Sequence, residues 1–331
     1  MKIGIIGCGK QAVKHIEGFR ANGVDDFVCY DLNPMAARAF AEKNRTQQAE
    51  TLDQLFDDPD VRAIDICTPV SSHFELARRS INSGRPFFCE KPLTASLDED
   101  RQLLAMSVEA NVCGMVGYIY RFVPALELGK AVCDAGAIGN AHSAIFRVGG
   151  RGSHMAWKHQ KASGGGALNE MAVHMIDLAY WYFGEMETVQ LFDIDRRQSR
   201  RKIGGQFVDC DAEDWIVAKM VSKKGVNILL QADLVTPAFT QYVEVQGDEG
   251  SFAGSIDPNY AGYLHLGKEW NEYKTGRNTI NLSPSNFYKN QMRMFVDSIQ
   301  GVTPDRNTLA DSVAVMTIQK ELRGQASEFF R

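Results

Sequence analysis

The chain opens on a β-branched apolar run, KIGIIG at 2–7, and a helical period follows from Lys10 to about Asn22. The runs DDFVCYD, VRAIDICT, PFFCE and VCGMVGY repeat that pattern, with helical stretches between them. Asn33-Pro34 marks one helix start, an N-cap followed by proline at the first helical position. Capping boxes at Thr51/Gln54, Ser72/Glu75 and Ser96/Glu99 mark others, and Gly84 marks a helix end. Continuous apolar strands alternating with helices predict a parallel sheet covered on both faces, a Rossmann-type α/β domain over 1–119.

From residue 120 the pattern changes. Longer strand-like runs lie at 140–149, 186–195, 207–221, 226–234 and 241–246, one strong helix spans about 167–183, and helices close the chain. Strands joined without intervening helices predict an α+β domain over 120–331, built on an open, largely antiparallel sheet. A length of 331 residues suits two domains.

The formal net charge of −5 argues against a general nucleic-acid binder. No apolar run approaches the roughly 20 residues that span a bilayer. The N-terminus runs straight into a strand with no cleavable signal pattern. The seven cysteines are scattered without a C-x-x-C pair. The expectation is a cytoplasmic protein with reduced thiols and neither a disulfide framework nor a zinc site.

Gly7-Cys8-Gly9-Lys10-Gln11-Ala12 is G-x-G-x-x-A between a strand and a helix. Gly7 suits the tight turn, Gly9 leaves room for a pyrophosphate, and Ala12 lets the helix pack close to the strand. The anion would rest on the helix N-terminus. Asp31 ends the second strand, placed to accept hydrogen bonds from the adenine ribose; a carboxylate there would repel a 2′-phosphate, which favours NAD over NADP. The competing reading is that Asp31 only opens the DLNP turn. Thr68 and Pro69 should form the cofactor floor, with His73 either a cofactor contact or a helix-start neighbour. Lys91 follows the carboxyl end of PFFCE, where open parallel sheets bind ligands, and Glu90 precedes it. Pro92 keeps the residue before it out of the helical region.

Glu170, His174 and Asp177 stand at i, i+4 and i+7, on one face of an otherwise apolar helix. Histidine titrates near neutrality, and a neighbouring carboxylate orients its ring and favours its protonated form. The pattern suits a general acid/base pair. A buried structural histidine and a metal site share the spacing, and the metal reading lacks a further ligand.

GIIGCGKQA, DICTPVSSHFELA, CEKPLT, SGGGALNEMAVHMIDLAYWYFG and the closing NFYKNQMRMFVDSIQG resemble, in order, the signatures of the glucose–fructose oxidoreductase / inositol dehydrogenase / MocA family. The resemblance implies an NAD(P)-dependent oxidoreductase of sugars, cyclitols and their derivatives. It places the family lysine on Lys91 and the family histidine on His174. The usual aspartate one turn earlier is here Glu170, and a glycine often found between them is Ala172. It implies an NAD-dependent sugar or cyclitol dehydrogenase, a homodimer or homotetramer assembled through the open sheet face, and no metal. Some relatives instead hydrolyse glycosides by transient oxidation, and a non-catalytic NAD-binding sensor would keep the fold.

The stretch 146–166 is basic for an acidic protein, with Arg147, Arg151, His154, Lys158 and Lys161 around Trp157. It reads either as a cleft rim for an anionic sugar or as a solvated loop. Arg121 is a further candidate substrate contact, with a hinge or surface role equally open. The run DRRQSRRK at 195–202 reads as an exposed loop.

Overall fold

The computed structural model describes residues 1–150, 155–280, 282 and 286–326. The apolar runs of the first part become β1 (Lys2–Ile6), β2 (Asp26–Tyr30), β3 (Gln47–Gln48), β4 (Val61–Ile66), β5 (Phe87–Cys89) and β6 (Gly114–Val116). All pair in parallel, in the order β3-β2-β1-β4-β5-β6. The helices between them are α1 (Lys10–Arg20), α2 (Pro34–Asn44), α3 (Leu52–Asp57), α4 (His73–Asn82) and α5 (Leu97–Ala110). The order reverses between β1 and β4, so their carboxyl ends flank the crevice where such sheets bind ligands.

The helix starts follow the sequence signals with one exception. Asn33 Oδ1 accepts the Met35 N–H at 3.0 Å, and Thr51 and Ser96 accept from Gln54 and Glu99 at 3.1 and 3.2 Å. Ser72 does not cap α4. It sits in a 3-10 turn, and its hydroxyl donates to Thr68 Oγ1 and to the Pro69 carbonyl.

The chain divides into two compact units. The first is Met1–Phe122 together with Asn286–Val313; the second is Val123–Ser285 with Ala314–Arg331. The sequence pattern placed one break near 120 and did not reveal that a later segment returns to the first unit. That segment carries α8 (Phe287–Ile299), which packs on α1. Gly18 permits the approach, since a Cβ there would lie 2.8 Å from both Met292 Cγ and the Tyr288 carbonyl oxygen. Behind this contact Phe19, Phe27, Phe88 and Phe295 stack in tilted and edge-on pairs that close the core.

The second unit holds α6 (Pro124–Asp134), β7 (Ala141–Gly149), α7 (Val173–Phe183), β8 (Met186–Asp195), β9 (Arg200–Ile203), β10 (Gln206–Asp209), β11 (Trp215–Ser222), β12 (Asn227–Asp233), β13 (Thr240–Gly247), β14 (Gly250–Gly254), β15 (Gly262–Leu266) and β16 (Gly276–Ile280). Eight of the strands form a sheet ordered β16-β15-β14-β13-β7-β12-β11-β8. The β7–β12 pair is parallel and the other pairs are antiparallel. Alternate residues of β11 and β13 are buried, and Phe146 of β7 meets Tyr182 and Phe183 of α7 edge-on. The run 207–221 is two strands, not one. The basic run 195–202 is only partly an exposed loop: β9 and β10 pair as a hairpin across Gly204-Gly205, and Arg201 is buried against Asp214 at 3.1 Å. The last helix, α9 (Leu309–Ala326), begins in the first unit and continues in the second.

Replacing Gly18 by valine should force the α1–α8 contact apart, because one of the two atoms met is backbone. Urea unfolding is expected to show a loss of about 1–3 kcal/mol. A midpoint at or above that of the parent protein would show that the contact yields without cost.

Candidate active site

Gly7 leaves β1 with a φ of +93°, and a Cβ there would stand 2.8 Å from the Cys67 carbonyl. Only glycine meets both conditions. Gly9 is the N-cap of α1, makes no side-chain cap bond, and would place a Cβ with nothing within 4 Å. Unfilled space thus lies over the unpaired N–H groups of a helix start, the arrangement an anion needs. Asp31 Oδ2 accepts the Cys8 N–H at 2.8 Å, and Oδ1 accepts the Asn33 N–H at 2.8 Å. It therefore does open the DLNP turn, and it is also fastened to the glycine turn. Each oxygen keeps a second lone pair for a ribose hydroxyl. Ala12 is buried, Lys10 is exposed, and the residues fit a dinucleotide.

The loops after β4 and β5 are braced by His73, which is 1% exposed. Its Nε2 lies 2.8 Å from the Thr68 carbonyl and its Nδ1 2.9 Å from the Pro92 carbonyl. The ring is engaged on both sides, so it acts as a strut under Thr68 and Pro69 rather than as a contact reaching into the crevice. The Lys91-Pro92 bond is cis. Glu90 Oε2 accepts the Lys91 N–H at 3.1 Å, while its Oε1 accepts from Gln11 Nε2 at 2.8 Å and lies 3.1 Å from His15 Nε2. His15 in turn meets both oxygens of Asp65 at 3.0 Å, and both residues are fully buried.

Arg121 lies inside the first unit. It is 1% exposed, with Nη1 3.2 Å from Asp311 Oδ2 and its guanidinium near the Tyr118 ring. The buried guanidinium thus has the partly covered Asp311, at the start of α9, as a counter-ion.

In the second unit the glycine-rich stretch has a packing reason. A Cβ on Gly165 would come within 2.5 Å of the Trp157 and Lys158 backbone, and one on Gly166 within 2.2 Å of Glu213. This close approach brings Lys158 to Glu170, with Nζ 2.8 Å from Oε2. Glu170 lies in a π-helical turn, Leu168–Ala172, that leads into α7. Such turns shift the register of side chains and are frequent at functional sites. Asn169 of the same turn bonds the Gly164 carbonyl at 3.0 Å and receives Arg323, and Gln319 donates to the Leu168 carbonyl at 3.1 Å. Glu170 is 7% exposed and Asp177 is 1% exposed, whereas His174 is half-buried on the same helix.

Two of the basic residues, Arg147 and Lys158, are neutralised from within. Arg147 pairs with the buried Asp233 and donates to Thr236 Oγ1 at 3.0 Å; Lys158 pairs with Glu170. His159 is buried, and burial followed by the Arg201 charge lowers it to about 4, so it is neutral. Arg151 and His154 lie outside the described residues. Trp157 is 41% exposed, with the Lys158 ammonium 5.5 Å from its ring.

The sequence reading missed His15, Asp65 and the Lys158–Glu170 pair. The first had a signal: His15 occupies the buried face of α1 with Ala12, Ile16 and Phe19, and Asp65 interrupts an apolar strand. Two polar groups at core positions need partners, but a sequence does not say which.

Asp31→Ser should narrow the preference for NADH over NADPH by about 1–3 kcal/mol, the worth of hydrogen bonds to a charged group. Fluorescence titration of both cofactors checks this. Tighter NADPH binding to the parent protein would overturn the role given to Asp31.

Residues 1–118 match the family described as "Oxidoreductase family, NAD-binding Rossmann fold", and residues 128–253 match the GFO/IDH/MocA C-terminal domain. Levoglucosan dehydrogenase of Pseudarthrobacter phenanthrenivorans is 34% identical over 167 residues, which span 48% of this chain and 42% of that protein. Myo-inositol 2-dehydrogenase of Thermotoga maritima is 25% identical over 261 residues, 77% of this chain and 76% of that one. The structure of a levoglucosan dehydrogenase in complex with NADH superposes with a TM-score of 0.87 at 23% identity, covering 99% of this chain and 97% of that one. The glycine cradle, the parallel sheet and the mixed second sheet thus have one origin: the chain belongs to the Gfo/Idh/MocA family of oxidoreductases, with an NAD-binding Rossmann domain.

Proposed function

We propose that this protein is an NAD-dependent dehydrogenase or reductase acting on the hydroxyl or keto carbon of a polyhydroxylated substrate, a sugar, sugar derivative or cyclitol. The observation that carries this reading is the position of Lys91. It follows β5 at the same carboxyl edge of the parallel sheet as the unfilled glycine cradle after β1. Relatives named as levoglucosan and inositol dehydrogenases support the substrate class. With Arg147 and Lys158 committed to internal carboxylates, an uncharged polyol suits the site better than an anionic sugar.

In this reading Gly7, Gly9 and the start of α1 hold the pyrophosphate and Asp31 the adenine ribose. NAD, when bound, accepts or returns a hydride. Lys91 and His174 handle the accompanying proton at the substrate oxygen, and Glu170 orients His174 from one turn before, itself pinned by Lys158. Proton-transfer groups of this kind typically supply about 10²–10⁴-fold in rate. Assembly as a homodimer or homotetramer belongs to the same reading. Ile145, Val217 and Leu229 lie on the outer side of the eight-stranded sheet, with Leu229 39% exposed, and give it an apolar face to cover.

The test is a panel of levoglucosan, myo-inositol, 1,5-anhydro-D-fructose, aldoses and uronates, followed by absorbance at the NADH band. Turnover of a neutral polyol is expected. Lys91→Ala and His174→Ala should each lower kcat by about 10²–10⁴-fold while NADH still binds. The double variant should cost much less than the product of the two, because both act on one proton. Full multiplicativity, or retained activity in Lys91→Ala, would sink the assignment. Light scattering should show at least a dimer; a monomer at micromolar concentration would remove the assembly from the proposal.

A further inference from the structure

Three ionisable side chains that the proposed chemistry does not use form a chain of contacts leading to the Lys91 amide. Asp65 of β4 and His15 of α1 have no exposed surface, and Glu90 is mostly covered. His15 Nδ1 lies 3.0 Å from both Asp65 oxygens, and its Nε2 lies 3.1 Å from Glu90 Oε1. A neutral imidazole donates from one nitrogen only. Two carboxylates on opposite sides of the ring therefore call for the doubly protonated form. Burial, the largest single influence, opposes that charge, but Asp65 and Cys67 together outweigh it and hold the histidine well above its ordinary range. Burial likewise opposes ionisation of Glu90, and the bond and charge of His15 overcome it, so the carboxyl stays below its usual value.

Cys67, Phe88 and Tyr288 also lie beside the ring. Cys67 Sγ is 3.3 Å from Nδ1, and burial pushes that thiol up to about 12, so it is neutral. Phe88 meets the ring edge-on at 5.2 Å. Tyr288 lies 6.0 Å away and accepts from Gln11 Nε2 at 3.1 Å and from Lys14 Nζ at 3.3 Å. A buried ion network of this size is expensive to desolvate, and apolar residues of the same volume would stabilise the fold as well or better. What it does provide is direction. Glu90 is held by His15 and Gln11 on one oxygen and accepts the Lys91 N–H on the other, and His73 holds the next carbonyl, that of Pro92.

We propose that His15 is a positioning residue for Lys91: braced by Asp65, its doubly donating ring fixes the Glu90 carboxylate, which caps the Lys91 amide, while Gln11 ties the same carboxylate to the cofactor's glycine turn. The inference rests on the reading of Lys91 given above and names what holds it.

The test follows amide hydrogen exchange at Lys91 in the full-length protein saturated with NADH, and needs no substrate. His15→Leu should speed exchange at Lys91 by about tenfold or more, with the Ile64 and Ile66 amides of β4 unchanged. His15→Gln, which keeps a donor for Glu90, should recover most of the protection. Glu90→Ala should reproduce the Leu effect and carries the test if His15→Leu does not fold. Unchanged exchange at Lys91 in a folded variant, or a rise shared equally by the β4 amides, would overturn the proposal. Full turnover in Lys91→Ala would instead defeat the catalytic reading of Lys91 and leave the exchange result standing, so the two failures are distinct.

Discussion

A carboxylate with no access to water sits on the central strand pair of a parallel sheet. Asp65 cannot remain there without a partner, because an unpaired buried charge costs several kcal/mol. Its requirement places His15 on the inner face of α1 and fixes the roll of that helix over the sheet. The roll in turn presents Gly9 and the free N–H groups of the first turn toward the crevice, and it places Gln11 on Glu90. The cofactor cradle and the Lys91 turn are thereby set by one buried pair. Helix α8 closes the same region from behind, resting on Gly18 and bringing Tyr288 to Gln11.

A comparable economy holds in the second unit. The triple glycine before α7 is a contact surface as much as a helix start: without side chains at 165 and 166, the Trp157–Lys158 segment and Glu213 come against it. Lys158 then neutralises Glu170 inside the unit. Of the basic residues in the surrounding sequence, Arg147 and Lys158 serve such internal pairing.

Period and punctuation made much of this legible. Five of the six parallel strands followed from apolar runs alternating with helices, while the two-residue β3 carried no such run, and the glycine turn, Asp31 and the Glu90-Lys91-Pro92 turn stood out because each sits at the end of a strand. Long strand-like runs without helices between them announced the open second sheet, and the alternate burial of β11 and β13 is what such a sheet shows when one face is covered. Strands β14, β15 and β16 were not legible, since GSFAG, GYLHL and GRNTI are short, rich in glycine and weakly patterned. Nor were the partners of charged groups. Arg121, Arg147 and Arg201 look alike in sequence to surface arginines, and only the fold reveals Asp311, Asp233 and Asp214 opposite them. Ser72 shows the same limit on a smaller scale: the spacing of a capping box was present, but the chain spent the hydroxyl on Thr68 and Pro69.

The dependence of the cradle and the Lys91 turn on one charged pair can be examined directly through the His15 ring. Nitrogen-15 NMR of the selectively labelled protein distinguishes a doubly protonated imidazole from either neutral tautomer. The ring between Asp65 and Glu90 should show two protonated nitrogens throughout the neutral range and remain so well above the ordinary histidine titration. A single unprotonated ring nitrogen at neutral pH would contradict it, for then one of the two carboxylates would lose its donor and the shared anchor of cofactor turn and lysine turn would not exist.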